Sequence, residues 1–182
     1  IGSSFTGWST AGDLSIWVRH AFIGSGSSTT WTATQTASTG GGLDVYRISG
    51  MSITGSAAVR SSGGQSTGTL GTTPAPVLSL TPLTGNPIIT AVCNATSPGG
   101  VTGPASYTRP TNLGYASPTS GLDTAFINSG ITSTTITWGS TSATAFGSIA
   151  IELDTSRLGG PVFVPQSAKW ATKAKLPARL GN

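Results

Sequence analysis

Ala143-Thr144-Ala145-Phe146-Gly147-Ser148-Ile149-Ala150-Ile151-Glu152-Leu153 alternates with a period of two. Phe146, Ser148, Ala150 and Glu152 fall on one side, and Gly147, Ile149, Ile151 and Leu153 on the other. Successive strand residues point to opposite faces, whereas a helix would repeat every 3.6 residues. The set with Ile149, Ile151 and Leu153 is the buried one on this pattern. Glu152 and Asp154, at the strand's end, are expected to face solvent.

The same signature recurs in both directions from this stretch. Leu14-Ser15-Ile16-Trp17-Val18-Arg19-His20-Ala21-Phe22 alternates, with Leu14, Ile16, Val18 and Phe22 on one face. Gly24-Ser25-Gly26 then turns the chain toward a Thr-rich segment, Thr29 to Thr36, so the pair reads as a hairpin. Further strands are expected over Leu43–Ile48, Val77–Leu80, Ile88–Ala95, Leu122–Ile127 and Ile131–Trp138. The nearly continuous apolar run Ile88–Ala95 suits a strand covered on both faces. Residues 49–76 and 98–118 are rich in Gly, Pro and Ser and read as long loops, the first with a weak strand around Ala57 to Val59. No stretch of the body keeps a helical apolar period without Gly or Pro interrupting it. The fold class expected is therefore all-β, an antiparallel β-sandwich or jelly-roll-like domain over residues 1–156.

Composition agrees with that reading. Charged residues make up 8% of the 182, against about 25% in ordinary domains, while Ser and Thr together supply 56 and Gly 26. Disorder usually comes with high charge and few β-branched residues, and neither holds here. The body, residues 1–156, has four Lys or Arg against five Asp or Glu. Residues 157–182 hold Arg157, Lys169, Lys173, Lys175 and Arg179 with no acid, so the basic character belongs to this segment. With Pro161, Pro165, Pro177 and a helix-capable stretch from Ser167 to Leu176, it reads as an extended basic C-terminal arm. Its candidate partner-binding residues are Arg157, Lys169, Trp170, Lys173, Lys175 and Arg179. An acidic protein surface is the favoured partner, ahead of nucleic acid.

Cys93 is the only cysteine, which forbids an intrachain disulfide and a cysteine-based zinc site, and its apolar surroundings suggest a small buried hydrophobe. No segment reaches the length of apolar chain that a spanning helix requires. The start at Ile1 points to a processed product or a fragment lacking its first strands.

Catalysis has little to work with. His20 is the single histidine, on the apolar side of its strand, and the G-x-S-x-G elbow is absent. Of the five acids, Glu152 and Asp154 are the pair whose spacing approaches that of glycosidase carboxylates, in a place where solvent-exposed acids are ordinary. The expectation is a non-enzyme with no cofactor and no metal. Aromatic residues offer an alternative function: Trp17, Tyr107 and Tyr115 are candidate glycan-binding residues, while Trp31 and Trp138 are expected in the core.

Several segments, Gly12-Asp13-Leu14-Ser15-Ile16-Trp17-Val18-Arg19, Thr30-Trp31-Thr32-Ala33-Thr34, Leu43-Asp44-Val45-Tyr46-Arg47-Ile48-Ser49-Gly50, Thr135-Ile136-Thr137-Trp138 and Ser148–Leu153, resemble the β-sandwich domains of tailed-phage virion proteins, of the minor tail or head-decoration type. The resemblance covers about residues 10–154 and implies a structural component of an extracellular particle. Its partners would be other virion proteins and copies of itself, with neither nucleic acid nor membrane among them. The alternative is a carbohydrate-binding or adhesin module that recognises a host-surface glycan.

Overall fold

The computed structural model describes residues 4–8, 15–19, 30–31, 41–48, 58–66, 73–94, 101–116, 119–139, 146–155, 163–170 and 178–179. Among them the chain is all-β, with no α-helix. Its centre is a five-stranded antiparallel sheet built from β5 (Val59–Ser66), β6 (Ile88–Asn94), β7 (Thr108–Ala116), β8 (Thr119–Ile127) and β9 (Phe146–Leu153), in the order β5-β9-β6-β8-β7. Three two-stranded pairs accompany it. β1 (Ser4–Trp8) pairs with β2 (Ser15–Arg19), β3 (Thr30–Trp31) with β11 (Ala178–Arg179), and β4 (Gly41–Ile48) with β10 (Phe163–Trp170), all antiparallel.

The stretch that opened the sequence reading is the sheet's middle. β9 lies between β5 and β6, and all eight of its residues are buried. The expectation of one solvent-facing side is thus corrected: a strand flanked on both edges and layered on both faces has no wet side, and Glu152 is 0% exposed. β6 is likewise covered on both faces, because its Ile88 and Val92 join one set of packed side chains and its Ala91 and Cys93 another.

On the first face lie Ile88, Val92, Ala125, Phe146 and Ala150. What covers them is an irregular ribbon of two extended segments, 73–79 and 133–139. Trp138 N donates to Pro74 O at 2.9 Å, Ile136 N to Pro76 O at 3.1 Å and Leu78 N to Thr134 O at 2.9 Å. Pro74 and Pro76 have no N–H to give, so the pairing runs through their carbonyls and only Val77 and Thr135 form a ladder bridge. Alternation survives regardless: Pro74, Pro76, Leu78, Ile136 and Trp138 are buried, while Val77, Thr135 and Thr137 are exposed. Trp138, 1% exposed, keeps its polar end satisfied by donating from Nε1 to Thr90 Oγ1 at 3.0 Å, and Thr90 in turn donates to Ile149 O at 2.9 Å.

The opposite face carries Ala91, Cys93, Ile149, Ile151 and Leu153, with Val59, Ile89 and Leu122 at its margin. β4 lies over it. Ile48 packs on that cluster, Tyr46 meets Phe126 edge-to-face with ring centroids 6.0 Å apart, and the Tyr46 hydroxyl donates to Thr124 Oγ1.

Several local expectations changed. β2 pairs with β1 rather than forming a hairpin with the Thr-rich segment, whose described part, β3, pairs with β11. Alternation identifies a strand but carries no label for its neighbour. Residues 59–66 and 108–116, both expected in loops, are strands β5 and β7. Ser167–Trp170, placed in a helix-capable stretch, belongs to β10, where β4 offers a ladder of hydrogen-bond partners that a short isolated helix would forgo.

Candidate functional site

Two buried carboxylates organise the polar chemistry of the described residues, and each is placed by a strand of the central sheet. Glu152 stands in the middle of β9's last turn of alternation, opposite Ile88 of β6 and Ser61 of β5. Its Oε1 accepts from Leu83 N at 2.9 Å and Asn86 Nδ2 at 2.7 Å; its Oε2 accepts from Arg60 NH1 at 2.6 Å. Arg60 also donates to Thr81 O at 3.0 Å. Asn86 Oδ1 accepts from Thr155 Oγ1 at 2.9 Å, and Leu153 N donates to Pro87 O at 3.0 Å. Apart from the Arg60–Glu152 pair, which ties β5 to β9, these bonds draw the 81–87 connection onto the end of the sheet. Glu152 is a brace.

Asp123 does the same at the other side. Located on β8 opposite Val92 and Asn112, it is 1% exposed. Val101 N donates to Oδ2 at 2.7 Å and Arg109 NH2 to Oδ1 at 2.7 Å, which ties the 101–109 segment to the sheet. Burial pushes the Asp123 carboxyl above its ordinary range; the Val101 and Arg109 contacts pull it back, and the Asp44 charge adds to the rise. Arg109 lies across Gly103, where a Cβ would sit 2.3 Å from its Cδ, so the absence of a side chain at that position makes the ion pair fit.

Asp44 of β4 accepts from Thr124 Oγ1 through Oδ2, closing a chain Tyr46 to Thr124 to Asp44 across the layer interface, while its Oδ1 has no partner. Burial raises the Tyr46 hydroxyl well above its usual range, with the Asp44 charge adding to the rise and the Thr124 contact opposing it. Burial likewise pushes the Cys93 thiol up to about 11.

The residues singled out from sequence are dispersed. Tyr107 is half-buried, packed against both the cluster that holds Val92 and Trp138 and the cluster that holds Leu78 and Ile88, with a buried hydroxyl that has no hydrogen-bond partner among the described residues. That leaves less of the ring to offer a sugar. Trp17 lies opposite Thr6 in β2, and Tyr115 opposite Ser120 in β7. Within the C-terminal segment, Lys169 is opposite Gly42 and Trp170 opposite Gly41, both in β10, and Arg179 is opposite Thr30 in β11. Arg157, Lys173, Lys175 and His20 lie outside the described residues. Among the described residues no group of three or more His, Cys, Asp or Glu is arranged to hold a metal, and no helix is long and apolar enough to cross a membrane.

The bracing by Asp123, Arg109, Glu152, Arg60 and Asn86 escaped the sequence reading. Its signal was the presence of single acids at core positions of strands, Asp123 between Leu122 and Thr124 and Glu152 between Ile151 and Leu153. No protein-family model, curated protein or solved structure matches the chain.

Proposed function

We propose that this chain is a structural building block of a virus particle, of the minor tail or capsid-decoration type. In this reading it is a β-sandwich or jelly-roll-like, non-enzymatic domain held to its neighbours by protein–protein contacts, with the basic segment 157–182 contributing to the anchor. The observation that carries the reading is the use of the acids. Glu152 and Asp123 each spend one carboxylate oxygen on donors of a connecting segment, Leu83 N and Asn86 Nδ2 or Val101 N, and the other on an arginine of a neighbouring strand, Arg60 or Arg109. A carboxylate committed to fixing loops on a sheet serves rigidity, which a repeated building block requires. The hydroxyl-rich, low-charge composition adds to this, since neighbouring copies bring few like charges together. The resemblance of its strand segments to tailed-phage virion domains supplies the particle.

The deciding experiment is mass spectrometry of virus particles purified from the source of the sequence. The chain is expected in every particle preparation, in several copies per particle; particles free of it overturn the proposal. Arg157→Gln, Lys173→Gln and Lys175→Gln together, all outside β10 and β11, are expected to leave the fold intact and to lower the number of copies retained. Glycan binding that disappears on Trp17→Ala, in a chain that never joins particles, would instead select the adhesin alternative.

A further inference from the structure

The geometry points to a covalent crosslink that this chain makes within itself: an ester between the Thr155 hydroxyl and the side-chain carboxamide of Asn86, formed with loss of ammonia and assisted by Glu152. The reacting groups are already assembled at the end of the sheet. Thr155 Oγ1 donates to Asn86 Oδ1 at 2.9 Å, Thr155 N donates to the same oxygen at 3.3 Å, and Asn86 Nδ2 donates to Glu152 Oε1 at 2.7 Å. Acyl transfer needs a hydroxyl nucleophile beside the carbonyl, a donor on the oxygen where charge develops, and a group that can move protons to the leaving nitrogen. Each of the three is present. Asn86 and Thr155 are 69 residues apart in the chain, so it is the fold that makes their encounter intramolecular.

Two features favour this reaction over the ordinary fates of an asparagine. Asn86 is 4% exposed and Glu152 is fully buried, which keeps water, the competing nucleophile, from the amide. Pro87 follows Asn86 and has no N–H, so the attack of the next backbone nitrogen on the side chain, which closes a cyclic imide, is blocked. Arg60 holds Glu152 Oε2 at 2.6 Å and thereby fixes Oε1 on the amide. In the reaction Thr155 Oγ1 bonds to Asn86 Cγ, and the hydroxyl proton moves to Oδ1, its present acceptor. Glu152 Oε1 then relays that proton to Nδ2, the Cγ–Nδ2 bond breaks, the carbonyl re-forms, and ammonia leaves with two amide hydrogens and the one from Thr155. No oxidant or other reactant enters. The product ties the 81–87 connection covalently to the residues that follow β9.

The test is intact-mass spectrometry of the purified, folded full chain held at neutral pH. The wild-type chain is expected one ammonia lighter than its sequence mass of 18.1 kDa. Chymotryptic mapping should find the peptides that carry Asn86 and Thr155 joined, and hydroxylamine, which cleaves esters, should separate them. Thr155→Val removes the nucleophile and should return the chain to its full sequence mass, whereas Thr155→Ser keeps a hydroxyl and should again lose ammonia. A folded wild-type chain at the full sequence mass overturns the proposal. So does an ammonia loss that persists in Thr155→Val or maps to another residue. The inference stands apart from the particle reading: a crosslinked chain absent from particles refutes that reading and leaves this bond in place.

Discussion

Glu152 is a buried charge whose value depends on keeping all its partners. Removing the carboxylate by Glu152→Ala would leave Arg60 half-paired and the Leu83 N–H and Asn86 amide without acceptors. Breaking a buried pair by deleting one member costs about 3–5 kcal/mol. For a domain of this size that corresponds to a fall in Tm of roughly 10 °C. Thermal unfolding followed by circular dichroism checks it, and a change under 2 °C would mean that the 81–87 connection holds itself. Glu152→Gln keeps the shape and one acceptor, so it should fall between wild type and Glu152→Ala. Cys93 provides a gauge of global opening: buried, with its thiol pushed up to about 11, it should label with a thiol reagent at pH 8 only after denaturant unfolds the chain. Labelling of the native chain within seconds would contradict its place in the core.

Strand β5 is held by close backbone approach as much as by packing. A Cβ on Gly63 would lie 1.7 Å from Val77 O, so Gly63→Ala must drive the 73–79 segment off the sheet. A loss of about 1–3 kcal/mol is expected from overpacking against an unyielding backbone. Gly85, where an added Cβ meets nothing within 4 Å, is the control, and Gly85→Ala should shift stability by no more than about 0.5 kcal/mol. Equal effects of the two in urea denaturation would refute the close approach. This strand also marks the boundary of what the residues reveal in one dimension. β6 and β9 were legible because Ile, Val and Leu recur through them. β5 reads Val59-Arg60-Ser61-Ser62-Gly63-Gly64-Gln65-Ser66, and its extended form comes from partners distant in the chain: Ser79, Leu80, Ala75 and the whole of β9. β7 was obscured by Pro110, which an end strand tolerates. Glu152 was misplaced toward solvent for a similar reason, because one strand's alternation says nothing of a ribbon, 133–139, laid over its second face.

Alkaline solution should unfold the molecule as a whole, and the sign follows from the buried ionisable groups. Cys93 goes from an ordinary 9.0 to about 11 in the folded chain, so the folded state prefers the neutral thiol. That contribution is fully present below pH 9.0 and is lost as pH rises toward about 11, amounting to about 3 kcal/mol at most. Tyr46 and Tyr107, both raised by burial from 10.0, add to the loss above pH 10. Urea midpoints should therefore be level from pH 7 to 8.5 and decline steeply by pH 10.5; a flat profile across that window would place these side chains in water. The position of β9 has a consequence for how the protein is made. It is the last strand of the sheet to leave the ribosome, yet it sits between β5 and β6. During synthesis β6, β7 and β8 can assemble as soon as they emerge, while β5 has only the 75–80 segment beside it and waits for its ladder partner until residues 146–153 have been added. A message truncated shortly before that point would thus release a polypeptide with two unmatched strands, ready to stick to any other nascent chain nearby.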